Sequence, residues 1–499
     1  MIMPMSFPQK RPSRVQNWAR SFNKLRDPYG VMASPPTITL GGSSSAINAF
    51  TSGNVSHRFD NVSLRHSGCV VINDGTNRGV GTGTTFADGS NQANNSPIRT
   101  CFVTDEPVFE ACFRGTQFGQ VGITVRDLLG GDQYAAKTRA ISLPNSGNPC
   151  YVKFDFGDAA NTRTYTLAQI SKSAGGSGYA VGDQITLAGG TGTAAVLNVI
   201  QVSSGAVSLV EVLNIGAYTV VPTGTISQAS TTGSGTGATF VSPIWLAAYA
   251  TRRLREIEVI WHGSGLKLYG INVRSQGSIL PYPAPPNQPI LAQIGDSISS
   301  LTYGNYAGEH MGYIMAQRLG MADRCKVNAI GGTGWATVNS AVTPNGPAWS
   351  DDKRIADFVA MNADVYVFWG SQNDAAAGSS VVTAAVTKVL SALRANNPDC
   401  YLIGLGPIVA SGAAATTLSS AIAAGFAAQD QTRTAYIDST AEGWLMTTST
   451  GKATAETGVG NWDFYVASDG AHPGGLGRDY LNYLASLRVA TTLQSLVGT

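Results

Sequence analysis

Residues 290–299 read ILAQIGDSIS. A short apolar run ends in a glycine, an aspartate and a serine. A run this short, closed by glycine, fits a fully buried strand better than a helix. Four similar runs follow: KVNAI (326–330), DVYVFW (364–369), YLIGLG (401–406) and TAYID (434–438). Helical patterns begin between and after them, near Gly304, Asp351, Ser379, Thr416 and Gly474. Strands alternating with helices imply a parallel sheet covered on both faces. The span 290–499 is about the size of one such domain.

In a parallel sheet, ligands bind beyond the carboxyl ends of the strands. The first strand is followed there by Gly295-Asp296-Ser297, and the second by Gly331-Gly332-Thr333-Gly334-Trp335. The third is followed by Gly370-Ser371-Gln372-Asn373-Asp374, and Asp469-Gly470-Ala471-His472-Pro473 precedes the last helix. Each block alone is weak; in this order at strand ends they are specific. A serine hydroxyl needs an adjacent base to act as a nucleophile. His472 can supply that base for Ser297, and Asp469 is close enough in sequence to orient the imidazole. Acyl transfer also needs donors aimed at the developing oxyanion. The backbone N–H of Ser297, a glycine N–H after the second strand and the Asn373 amide are candidates. The serine does not stand in a G-x-S-x-G elbow, so an α/β-hydrolase arrangement is not indicated.

These four blocks resemble the SGNH, or GDSL, hydrolase family. The resemblance implies a flavodoxin-like sheet of five parallel strands. It implies Ser297 as nucleophile, His472 as general base and acid, Asp469 as its orienter and Asn373 as an oxyanion donor. For the glycine donor, Gly332 is preferred and Gly334 comes next. The chain departs from the family's G-x-N-D spacing, with one more residue between Gly370 and Asn373.

Upstream, VSLRHSGCVVIN, FEACFRGTQFGQVGITVRDLL, CYVKFDFG and REIEVIWHGSGLKLYGINV alternate like strands. Ile257, Val259 and Trp261 alternate with Glu256, Glu258 and Ile260, as in a β-sandwich. The expected sandwich covers 41–167 and 244–280. Residues 168–243 hold only Lys172, Asp183 and Glu211 as charges and read as a small inserted Gly-rich β-module. A proline-rich linker, 281–289, leads into the hydrolase domain. Sandwich, linker and GDS block together look like the jelly-roll-plus-hydrolase layout of carbohydrate O-acetyl esterases. The insert resembles modules of bacteriophage tail proteins. The whole chain resembles a phage tail-spike deacetylase, which implies acetylated bacterial surface polysaccharide as substrate, a virion location and a homotrimer.

Residues 1–40 are basic, and Val15, Trp18, Phe22 and Leu25 fall at helical spacing. This arm reads either as solvated or as an anchor docking to other phage tail proteins. It lacks an apolar core, so a secretory leader is not expected.

Of 499 residues, 43% are hydrophobic and 13% charged. The charged share is about half the usual value, and the apolar share can build large cores, which excludes a disordered chain. A net charge of +2 gives no reason to expect a nucleic-acid partner. No apolar run reaches the roughly 20 residues of a membrane helix, so no membrane insertion is expected. The six cysteines lie far apart and read as mostly buried thiols, with Cys101–Cys112 an open disulfide alternative. No metal-ligand spacing appears, and a Ser-His mechanism calls for neither metal nor cofactor.

Asp296 and Asp374 read as braces for their loops. Trp335 and Tyr303 could line a sugar subsite, or be plain core or rim residues. His310 and Glu309 read as cleft-lining or, better, as a solvated helix face. Two other functions stay open: a glycan-binding tail component without catalysis, and a lipase or aryl esterase of the same family.

Overall fold

The computed structural model describes residues 13–41, 54–58, 60–67, 70–74, 77–81, 97–115, 119–127, 135–144, 147–156, 164–248, 254–263, 266–274, 277–283, 287–299, 309–342, 346–408, 413–445, 461–467 and 471–498. All statements below concern these residues. Among the described residues the chain is α/β, with one parallel sheet, two antiparallel sheets and one that is antiparallel but for a single two-residue parallel pair.

The parallel sheet has five strands: Leu291–Gly295, Cys325–Ala329, Val365–Trp369, Tyr401–Leu405 and Thr434–Ile437. Their spatial order is second, first, third, fourth, fifth, all parallel. This is the flavodoxin-like order, whose switch point lies beside the first strand. Every residue of the first, third and fourth strands is buried. Helices cover both faces, which is why these strands read as continuous apolar runs rather than alternations.

On one face lie α1 (Arg14–Ser21), α2 (Met311–Arg318) and α7 (Gly475–Val497), sharing a core with Leu291, Val327 and Val367. On the other lie α3 (Asp352–Met361), α4 (Ser379–Asn396) and α5 (Ala413–Ala427), packed on Ile294, Phe368 and Leu402. The expected starts at Asp351, Ser379 and Gly474 fall within one residue of α3, α4 and α7. Asp351 caps α3 by accepting the Lys353 N–H. The expected start near Gly304 lies outside the described residues.

The N-terminal segment departs from both readings of it. Val15, Trp18 and Ala19 are buried in the α2–α7 core, and Phe22 and Leu25 pack against it. Trp18 Nε1 donates to Leu319 O at 2.7 Å, and Gln494 donates to Phe22 O at 3.0 Å. Arg14 pairs with Asp364. The helical spacing marked a real apolar face. That face is spent on the chain's own parallel-sheet domain, so 13–31 is neither a solvated arm nor a free anchor.

Two sheets of eight and seven strands face each other over a shared core, antiparallel throughout except where Gly30–Val31 runs parallel to Ala135–Lys137. Phe102, Ile123 and Trp261 come from one sheet, and Phe113, Val152 and Leu268 from the other. In the strand Arg255–His262, Ile257, Val259 and Trp261 face that core. The opposite face is buried too. Ile260 joins the α2–α7 core, and Glu258 accepts the hydroxyls of Tyr282 and Tyr313. Alternation normally marks one wet face. Here the second face is dry because the parallel-sheet domain sits on it, with Arg99 paired to Glu258 and Arg126 to Glu256.

The insert is an eight-stranded antiparallel sheet with its own core around Leu197, Tyr218 and Phe240. Its boundary strands, Thr164–Ser177 and Thr236–Ala248, pair from Thr164 opposite Ala248. It therefore runs a few residues past 168 and 243 at both ends. Cys101, Cys112, Cys150, Cys325 and Cys400 are buried, and Cys101 is not joined to Cys112 by a disulfide. No described helix is long and apolar enough to cross a membrane.

Candidate active site

Ser297 lies two residues beyond the first strand, at the carboxyl end of the sheet. His472 lies three residues ahead of α7. The loop that carries it is pinned at its base: Ala467 donates its N–H to His472 O at 2.7 Å, Gly474 donates to Tyr465 O at 2.9 Å, and Val466 bridges Pro473. This places His472 Nε2 2.8 Å from Ser297 Oγ. Both residues are half-buried. For the hydroxyl to donate to Nε2, the neutral imidazole must carry its proton on Nδ1. Asp469 and Tyr303 lie outside the described residues.

Asp296 sits behind Ser297 and is fully buried. Its Oδ1 accepts the Ile298 N–H at 2.9 Å, an Asx-type bond within the loop. Its Oδ2 accepts the Ser371 N–H at 2.9 Å and the Asn373 amide at 3.3 Å. It therefore braces its own loop and ties it to the loop after the third strand. Burial pushes its carboxyl up to about 6, against the lowering effect of those backbone donors.

Asn373 Nδ2 also donates to Thr333 O at 2.9 Å. The amide thus stands where the first, second and third loops meet. Asp374 does more than hold its own turn. Its carboxylate accepts the backbone N–H groups of Trp335, Ala336 and Thr337 and the Ser371 hydroxyl.

Among the glycines, Gly331 faces Ser297. A Cβ built on it would stand 3.6 Å from Ser297 Cβ. Gly331 O accepts the Asn339 amide at 2.8 Å. A trans peptide points its C=O and N–H in opposite directions, so the Gly332 N–H is turned away from Asn339. Gly332 has φ +72°, which glycine adopts without strain. Gly334 does not fit the donor role expected as second choice. It is buried, its N–H donates to Thr337 O at 3.0 Å, and it packs against Asp374.

Trp335 is a core residue and not a sugar platform. It is 1% exposed and packs on Trp349 and Phe368, with centroids 4.8 Å from each. The Asp374 bond to its N–H turns the chain inward there. His310 is fully buried at the start of α2, and Glu309 pairs with Lys137 of the sandwich. Neither forms a solvated helix face, because the sandwich covers that end of the helix.

Sequence reasoning missed Arg354. From inside α3, fully buried, it reaches Asn328 Oδ1, Thr333 Oγ1, Pro347 O and Gly295 O at 3.1–3.4 Å. It holds the loops after the first and second strands together from below. Burial pulls its guanidinium down to about 9. An arginine in a helix ordinarily reads as a solvated residue, and only the deep apolar setting of its neighbours marks it otherwise.

No family profile and no curated protein sequence matches this chain. Among solved structures, the chain is similar to a family two carbohydrate esterase from Cellvibrio japonicus, with 13% identity and a TM-score of 0.46 over 88% of this chain and 98% of that one. It is similar to an acetyl xylan esterase from the rumen bacterium Butyrivibrio proteoclasticus, with 11% identity and a TM-score of 0.39 over 89% and 99%. It is also similar to a salicylyl-acyltransferase from a tetracycline biosynthetic pathway, with 9% identity and a TM-score of 0.46 over 89% and 98%.

Proposed function

We propose that this chain is a serine esterase that removes O-acetyl groups from bacterial surface polysaccharide. The observation that carries the reading is the Ser297–His472 contact of 2.8 Å, at the carboxyl end of a flavodoxin-like sheet. In this mechanism His472 takes the Ser297 proton as Oγ attacks the acetyl carbonyl. The Ser297 N–H and the Gly332 N–H donate to the oxyanion, and the Asn373 amide joins them by giving up its 3.3 Å bond to Asp296. His472 then protonates the departing sugar oxygen, leaving an acetyl ester on Ser297. Water, deprotonated by His472, releases acetate and restores the hydroxyl. Asp469 holds the imidazole tautomer. No step requires a metal ion or cofactor.

The finer reading is a phage tail spike, assembled as a homotrimer, acting on capsule or O-antigen outside the host. The Gly-rich insert and the basic residues 1–12 support it, the latter as a contact to other tail proteins. The two-sheet sandwich is taken as the jelly-roll domain that accompanies carbohydrate esterases.

The test is acetate release from acetylated capsule or O-antigen preparations by the wild-type chain and by Ser297→Ala. Release by wild type alone is expected. Equal release by Ser297→Ala would overturn the mechanism. Cleavage of p-nitrophenyl acetate without release from any polysaccharide would overturn the substrate.

A further inference from the structure

A cavity of about 410 Å3 opens at the amino end of the parallel sheet. Ser297 lies at the other end, past a five-residue strand of about 16 Å. Three parts of the chain build its walls. Arg26 and Tyr29 come from the N-terminal segment, Arg126 from the sandwich, and Gln317 and Asp323 from α2 and the turn after it. Gln288 of the linker closes one side. The volume is within the range of small-molecule sites, about 300–1,000 Å3.

Two polar atoms on this wall have no protein partner. Gln317 is 4% exposed, and its Oε1 accepts the Tyr29 N–H at 3.3 Å, but its buried Nε2 donates to nothing. Gln288 donates its amide to Gly320 O and Asp323 Oδ2, but its buried Oε1 accepts nothing. Buried amides are normally satisfied. Both side chains line the cavity, and a turn of either amide would offer a ligand its unpaired donor or acceptor.

The charges on the wall balance. Arg126 is held by Glu256 and the Tyr29 hydroxyl and lies 3.9 Å from Asp323. Arg26 lies across Gly320, where a Cβ would stand 2.9 Å from its guanidinium carbon and where φ is +69°. Asp27, next in the chain, also lines the cavity. Two arginines facing two aspartates leave no excess charge to hold a phosphate or a uronate. An amide donor, an amide acceptor, a guanidinium and a carboxylate together suit the paired donor and acceptor character of hydroxyl groups.

We propose that this cavity binds a neutral sugar unit, at a site separate from Ser297 and His472. Its use as a second hold on the polysaccharide during deacetylation rests on the function proposed above. A tethered chain would raise the local concentration of acetyl esters at the catalytic end.

The test is saturation-transfer NMR and titration calorimetry on the full chain with glucose, galactose, N-acetylglucosamine and, as charged controls, glucuronate and inorganic phosphate. At least one neutral sugar is expected to bind saturably. Arg26→Ala and Gln317→Met should each weaken it tenfold or more. Arg26 is exposed, so its variant keeps the fold and decides the matter if Gln317→Met does not. Hydrolysis of p-nitrophenyl acetate should be unchanged in Arg26→Ala. Binding of no neutral sugar would mean that the cavity holds water only, and would overturn the proposal. Equal binding by wild type and Arg26→Ala would place the sugar elsewhere and overturn it too. Preference for glucuronate or phosphate would overturn the neutral ligand. A wild type that binds sugar but cleaves no ester would sink the esterase reading and leave this one standing.

Discussion

Trp335 donates its backbone N–H to the carboxylate of Asp374 at 2.6 Å. The same carboxylate takes the next two N–H groups, those of Ala336 and Thr337. One buried side chain thus fixes the loop after the second strand, and with it the glycines beside Ser297. Asp374→Ala would leave three backbone donors and the Ser371 hydroxyl without an acceptor. Each buried orphan costs about 1–3 kcal/mol, although losses at one centre are not additive. We expect a stability loss of about 3–4 kcal/mol, read as a lower urea midpoint, and a fall in kcat/KM for p-nitrophenyl acetate. Gly334→Ala should act in the same direction, because its methyl would stand 2.3 Å from Asp374 Oδ2. An unchanged midpoint in Asp374→Ala would remove the brace from the account.

Ser297 and His472 are proposed to act as one unit, so their losses should not add. Ser297→Ala, His472→Ala and the double variant should each lower kcat by on the order of 10⁴ or more. The double variant should be no worse than the worse single one. All three should keep the wild-type circular dichroism spectrum. A double variant slower than either single by the product of their effects would show two independent contributions instead.

Asp296 links stability to pH. Its folded carboxyl is raised to about 6 by burial, against 3.8 for the free group. Between those values the folded state binds more protons than the unfolded state. The associated stability is therefore complete below about pH 4 and is lost as pH rises through 6. Two pKa units correspond to on the order of 2–3 kcal/mol. Asp296→Asn removes the titration. Relative to Asp296→Asn, the wild type should lose about that much stability between pH 4 and pH 7, measured by urea unfolding at each pH. A constant difference across the range would mean that Asp296 is not raised.

The parallel sheet was legible because its strands are buried on both faces, and five short apolar runs such as ILAQI and DVYVFW can do little else. The Ser297–His472 pair was legible because the blocks fall where such a sheet places its loops. Features that depend on tertiary contact were not. Trp18 reads as the face of an amphipathic helix, but nothing local says that its partner is Leu319. Glu258 reads as an outward residue of an alternating strand, whereas Tyr282 of the linker and Tyr313 of the next domain bury it. Arg354 and the inward turn of Trp335 both involve the loop after the second strand, which Asp374 holds from the neighbouring loop after the third. Local pattern registers an apolar face or a turn, and the identity of what covers it comes from residues far along the chain.

The insert should be removable. Thr164 and Ala248 are antiparallel partners, so their Cα atoms stand about 5 Å apart. A short Gly-containing turn spans that gap. The module has a separate hydrophobic core around Leu197 and Phe240, so its excision opens no cavity in the core built on Phe113 and Trp261. Replacing residues 165–247 by such a turn should leave kcat/KM for p-nitrophenyl acetate within about twofold and the urea midpoint of the remaining chain nearly unchanged, since shortening a surface loop changes closure entropy only slowly. The same deletion compared on acetylated polysaccharide separates two roles. An unchanged rate of acetate release would make the insert a bystander to catalysis. A fall confined to polysaccharide, with the small ester unaffected, would assign it to holding the polymer. A deletion that unfolded the chain would show that the strands from Thr164 to Ala248 support the sandwich after all.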